Sequence, residues 1–135
     1  KKLDKTIEKL NMNKEMIHRG VNKGFSGGER KKNEILQMYM LEPNMVMLDE
    51  IDSGLDVDSL KIVGESVMNY YNEFKPAILL VTHYQRLLEY IKPQFVHIMI
   101  DGTIVKSGNS KLVEIIEKEG YSFFKNNSEN DVEVY

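Results

Sequence analysis

A chain of 135 residues with 41% hydrophobic and 29% charged side chains has the profile of one folded domain, or a large piece of one, and not of a disordered segment. A net charge of −3 supplies no basic field of the kind nucleic-acid binding needs, and no apolar run approaches the roughly 20 residues that cross a bilayer. The absence of cysteine excludes disulfides and thiolate metal centres.

In chain order, Leu3, Ile7 and Leu10 are spaced i, i+4, i+7 among charged residues, which predicts a helix with one buried stripe. Gly24, Gly27 and Gly28, with Phe25 and Ser26 among them, interrupt that pattern. Ile35, Met38 and Tyr39 resume it as far as Leu41, and Pro43 forces the helix to stop. Met45 to Leu48 is an apolar run too short for a helix and reads as a buried strand. After a loop at Asp52-Ser53-Gly54, a helix from Val57 carries Leu60, Val63, Val67, Tyr70 and Phe74 on one face. A second buried strand, Ala77 to Val81, follows Pro76, and a short helix over Gln85 to Tyr90 follows that. Phe95 to Ile100 is a third apolar run, turned at Asp101-Gly102 into Thr103 to Lys106. A last helix from Ser110 to Glu119 is closed by Gly120, and the polar, acidic tail from Lys125 to Tyr135 is expected to be disordered.

Two apolar strands joined by a helix predict a βαβ unit, whose ligands collect beyond the carboxyl ends of the strands. Asp49 and Glu50 stand at the first of those ends, Thr82 and His83 at the second. A strand-end carboxylate such as Asp49 suits Mg²⁺, which takes oxygen ligands and keeps several waters. Its neighbour Glu50 can face an attacking water as base or orienter. Ser26-Gly27-Gly28-Glu29, opening a helix, offers unshielded N–H groups and the positive end of the dipole to an anion. The plainer alternative is a serine N-cap with an acid in the first turn. A calcium loop across Asp49 to Leu60 fails, because Ile51 and Leu60 would fall at ligand positions. Arg30-Lys31-Lys32 reads as a solvated helix face sooner than a nucleic-acid patch.

In order and spacing, Ser26 to Glu29, Met45 to Glu50, Ser53 to Asp56 and His83 resemble the C-terminal half of an ABC-type ATPase nucleotide-binding domain. They are similar in turn to its signature, Walker B strand, D-loop and switch histidine. Phe25 and Glu29 replace the commoner Leu and Gln. The blocks Phe25 to Gln37, Asp49 to Asp58 and Thr82 to Arg86 are most similar to the SufC family, the ATPases of SUF iron–sulfur cluster assembly.

The resemblance implies an α/β fold: the C-terminal part of a P-loop NTPase domain, with parallel strands, helices and a C-terminal β-hairpin. Residues 1–43 would form the helical signature region and 44–124 the part from the Walker B strand onward. ATP and Mg²⁺ are the implied cofactors, with Glu50 and His83 catalytic, Asp49 on the metal, and Ser26, Gly27, Gly28, Glu29 and Asp56 contacting nucleotide across a head-to-tail pair of ATPase subunits. SufB- and SufD-like scaffold proteins are the implied partners; the rival reading is the ATPase of a membrane transporter. No Gly-Lys pair occurs in the sequence, so the Walker A loop is missing. The chain is therefore expected to be a C-terminal fragment, inactive by itself. Fifteen lysines against three arginines suit a plastid of the apicomplexan kind, and the cytoplasm otherwise. Lys31 or Lys32 is further expected to pair with Glu50 and restrain hydrolysis.

Overall fold

In the computed structural model, which describes residues 1–21 and 23–126, the chain forms two units, Lys1–Ile91 and Lys92–Tyr135. The first opens with α1 (Lys2–Lys9), whose Ile7 is buried together with the capping residue Leu10, as the spacing predicts. A 3₁₀ turn over Lys14–His18, capped by the Asn13 side chain, buries Met16 and was not expected from the sequence. The next helix, α2 (Gly27–Leu41), buries Ile35, Leu36, Met38 and Tyr39. It is followed by β1 (Met45–Asp49), α3 (Val57–Phe74), β2 (Ala77–Val81) and α4 (Gln85–Tyr90).

Both long helices end by one device. Glu42 and Lys75 close α2 and α3 in the left-handed conformation, at φ 47° and 52°, and each stands immediately before a proline that disfavours another helical residue. The two helices are also tied together by tyrosines. The Tyr39 and Tyr70 rings meet edge to face with centroids 5.1 Å apart. The Tyr39 hydroxyl donates to the Ser66 carbonyl at 2.9 Å, and Tyr70 donates to Pro43 at 3.2 Å. Burial pushes the Tyr39 hydroxyl up to about 12. On the other flank of α3, Gly64 admits α4. A Cβ there would lie 2.6 Å from Cβ of Tyr90.

The two strands pair in parallel, residue for residue from Met45 with Ala77 to Asp49 with Val81. The expectation of strands buried on both faces needs correction. Val46 and Leu48 enter the core with α3, whereas Met47 is 71% exposed and Leu79 and Val81 share its face. Within this unit, among the described residues, helices cover one side of the pair, and the continuous apolar run leaves Met45, Met47, Ala77, Leu79 and Val81 exposed on the other.

The second unit is a hairpin with two helices. β3 (Val96–Ile100) runs antiparallel to β4 (Thr103–Gly108), with a bulge between Ile98 and Met99. Asp101 and Gly102 turn it with φ of 49° and 79°, the positive pair that a two-residue hairpin of matching twist requires. α5 (Lys111–Glu119) ends at Gly120, and α6 (Tyr121–Asn126) follows. Ile98, Leu112 and Phe124 form its core. Phe124 is thus a packing residue within a helix. Lys125 lies in that helix too, and pairs with Asp101 at 3.2 Å. The rest of the expected tail, 127–135, lies outside the described residues.

Candidate functional site at the strand ends and the α2 N-terminus

The polar residues expected at the carboxyl ends of the strands meet there. Asp49 is the last residue of β1 and is exposed. One residue on, the Glu50 N–H still donates to the Val81 carbonyl at 2.9 Å, but Glu50 itself is left-handed, with φ 45°. Non-glycine residues adopt that conformation at a cost, here as at the helix ends Glu42 and Lys75 and the hairpin residue Asp101. The reversal ends the strand and brings Glu50 Oε1 to 3.2 Å from His83 Nδ1. Both side chains are slightly more than half exposed, so an incoming molecule can reach the pair.

Asp52, which the sequence places only in a loop, and Thr82, expected at the end of the second strand, hold this turn in place. Asp52 is buried, and its Oδ2 accepts from the Thr82 hydroxyl at 2.5 Å. Thr82 Oγ1 accepts in turn from the Tyr84 N–H at 2.9 Å. The first bond joins the Glu50 loop to the His83 turn, and the second braces that turn from within. The other Asp52 oxygen, Oδ1, is buried with no hydrogen-bond partner among the described residues. Ile51 beside it is buried as an apolar anchor. The signal for Asp52 was present as a second acid after Asp49-Glu50, but nothing in its spacing says that it points inward.

Ser26 to Glu29 form the second grouping. Ser26 caps α2: its Oγ accepts from the Glu29 N–H at 3.2 Å, and its own N–H donates to Glu29 Oε2 at 2.7 Å. This reciprocal arrangement is a capping box. The Ser26 backbone N–H first, and the Ser26 side chain after it, hold the Glu29 carboxyl below the usual range, with help from Arg19 and Lys32. A Cβ on Gly27 would meet nothing within 4 Å, while one on Gly28 would lie 3.7 Å from Leu55 and 3.8 Å from Ser59 Oγ. Gly27 is thus a helix-start glycine whose missing side chain faces open space. Packing in this chain does not require it, and close approach from outside would explain it. Through Gly28, the same helix start rests on the loop that carries Asp56. Asp56 caps α3 by accepting from the Ser59 N–H at 2.7 Å, and that bond holds its carboxyl low.

The expected restraint of Glu50 by a lysine is not what the structure has. The Lys31 ammonium lies 3.5 Å from Glu34, one turn along its own helix, and Glu50 Oε1 lies against His83 Nδ1. Among the described residues no cluster of three His, Cys, Asp or Glu side chains could enclose a metal. One exposed carboxylate still suffices for Mg²⁺ when a substrate's phosphates and water fill the other positions, and Asp49 provides it.

No protein-family model matches the chain. Its fold is that of part of an ATP-binding cassette. The crystal structure of the ADP conformation of an ATP-binding cassette of an ABC transporter superposes with a TM-score of 0.66 at 18% identity, over 93% of this chain and 49% of that one. In sequence the chain is a homologue of the ABC-type ATP-binding proteins, SufC among them. It is 50% identical over 121 residues to the probable ATP-dependent transporter SufC of Escherichia coli, covering 90% of this chain and 48% of that protein. It is 53% identical over 124 residues to a probable ABC transporter ATP-binding protein of Streptococcus pyogenes, covering 90% and 47%. The chain spans about half the length of the curated relatives it matches.

Proposed function

We propose that this chain contributes the hydrolytic edge and the signature edge of an ATPase that serves an iron–sulfur assembly scaffold. The observation that carries the hydrolytic part is the Glu50–His83 pair, 3.2 Å apart at the adjoining ends of two parallel strands with Asp49 beside it. In this reading Glu50 orients or deprotonates the attacking water, and His83 donates a hydrogen bond to the terminal phosphate. Asp49 holds Mg²⁺, whose contribution when bound is to neutralise charge on the phosphate oxygens. Ser26, Gly27 and Gly28 meet the phosphate of ATP held by a second subunit, with Glu29 fixing the helix start and Asp56 at the contact between the two subunits.

The assembly-scaffold reading is favoured by the blocks Asn33 to Gln37 and Tyr84 to Arg86, which resemble SufC beyond the shared ATPase motifs. The transporter reading keeps a specific support of its own, because relatives named for transport are as similar to the chain as SufC is. No helix among the described residues is long and apolar enough to cross a membrane. Affinity purification of the full-length protein from its own cells separates the two. SufB- and SufD-like scaffold proteins should co-purify without detergent. Recovery of integral membrane subunits in their place would overturn the scaffold reading and leave the ATPase reading standing.

A further inference from the structure

The anion site at the start of α2 already contains an anion. The Ser26 N–H, one of the unshielded donors that would greet a phosphate, is used at 2.7 Å by Glu29 Oε2. The carboxyl is held ionised by that bond, and Arg19 and Lys32 add to the effect. α2 is 15 residues long, so its dipole favours negative charge at this end, whether it comes from Glu29 or from a ligand. Two anions at one helix start repel, and a glutamine in the same place would accept the same bond without the charge.

We propose that Glu29 is an internal competitor for the phosphate at the α2 N-terminus, so that nucleotide-driven closure must first displace the Ser26–Glu29 bond or work against its charge. The inference rests on the reading of Ser26, Gly27 and Gly28 as phosphate contacts and adds a regulatory threshold to it. Glu29 stabilises the helix start while no phosphate is present, and it raises the nucleotide concentration at which two subunits close. A glutamate at this position thereby makes a weaker, more readily reversed sandwich than a glutamine.

The test uses the full-length protein and its Glu29→Gln and Ser26→Ala variants. Association driven by Mg-ATP is followed by analytical ultracentrifugation across nucleotide concentration, at low and at high salt. Glu29→Gln should lower the half-saturating ATP concentration roughly fivefold at low salt, the size of effect expected of one charge at a helix end. The gain should shrink at high salt, where charge effects between exposed groups are screened. The melting temperature should fall by no more than a few degrees, because the charge at the helix end is lost while the amide oxygen keeps the capping bond. A half-saturation that is unchanged or higher in Glu29→Gln overturns the competitor role. If Ser26→Ala abolishes association while Glu29→Gln leaves it unaltered, the phosphate reading survives and only the competitor falls. If the parent does not associate with Mg-ATP at all, the phosphate reading fails and takes this inference with it.

Discussion

The carboxyl ends of β1 and β2 and the helix layer behind them are built on opposite terms. At the strand ends, a buried Asp52 oxygen lacks a partner among the described residues, and Glu50 and His83 stand half in solvent. Behind them, α2, α3 and α4 close over Ile35, Val63, Val67 and Leu87, all fully buried, with tyrosine hydroxyls satisfied by backbone carbonyls. The first region spends stability on exposed and unsatisfied polar groups, as sites of chemistry do. The second supplies that stability through close packing. Substitutions should therefore separate cleanly: changes at the strand ends should cost rate, and changes in the helix layer should cost stability.

The largest effect expected is on rate. In the full-length protein, His83→Ala should lower ATP turnover by about 10²-fold or more, the usual consequence of removing one donor from a developing phosphate charge. Its melting temperature should hardly move, since the ring is more than half exposed. An equal loss of both would erase the contrast between the regions. In the helix layer, Gly64→Ala forces Tyr90 away from a contact that would fall to 2.6 Å. It should destabilise the fold by about 1–3 kcal/mol, as overpacking commonly does. Urea denaturation measures this, and a variant as stable as the parent would show that α4 yields freely.

A smaller effect is expected at alkaline pH. The Tyr39 hydroxyl titrates at about 12 in the folded chain and near 10 when unfolded. The folded state therefore keeps a proton that the unfolded state releases. The stability contributed by this group is full below pH 10 and is lost as pH rises from 10 toward 12. Tyr39→Phe should flatten the stability profile in that window, and denaturant titrations at pH 9 and 11 read the difference. The smallest change in stability belongs to the open face of the strand pair. Met47→Lys places a charge where the side chain is 71% exposed. It should leave stability nearly unchanged while reducing self-association of the chain in light scattering, because exposed apolar surfaces of this kind drive contact.

Much of this was legible in the sequence. The strands at Met45 and Ala77, the helix from Val57 to Phe74 and the short helix from Gln85 to Tyr90 are where periodicity and prolines put them. The meeting of Glu50 with His83 follows from the parallel pairing of their strands. Three features were not legible, each for a physical reason. The 3₁₀ turn at Lys14–His18 has too few residues to show a period. An unbroken apolar run cannot say whether both strand faces are covered, so the exposure of Met47 and Leu79 was missed. Asp52 and Thr82 act through one part-buried hydrogen bond between residues 30 apart in the chain, which leaves no local pattern. The pairing expected of Lys31 or Lys32 with Glu50 is not found among the described residues, where Lys31 lies against Glu34, three residues away on the same helix.

The central claim is that the residue ending β1 in a left-handed turn is the one that works on the attacking water. Glu50→Gln in the full-length protein tests it most directly, since it keeps the side-chain volume and removes the charge. Phosphate release and subunit association should be measured together in the presence of Mg-ATP. Turnover should fall by about 10²–10⁴-fold, the range for a lost general base, while the nucleotide-bound pair of subunits accumulates. Turnover at the parental rate would contradict the assignment of Glu50.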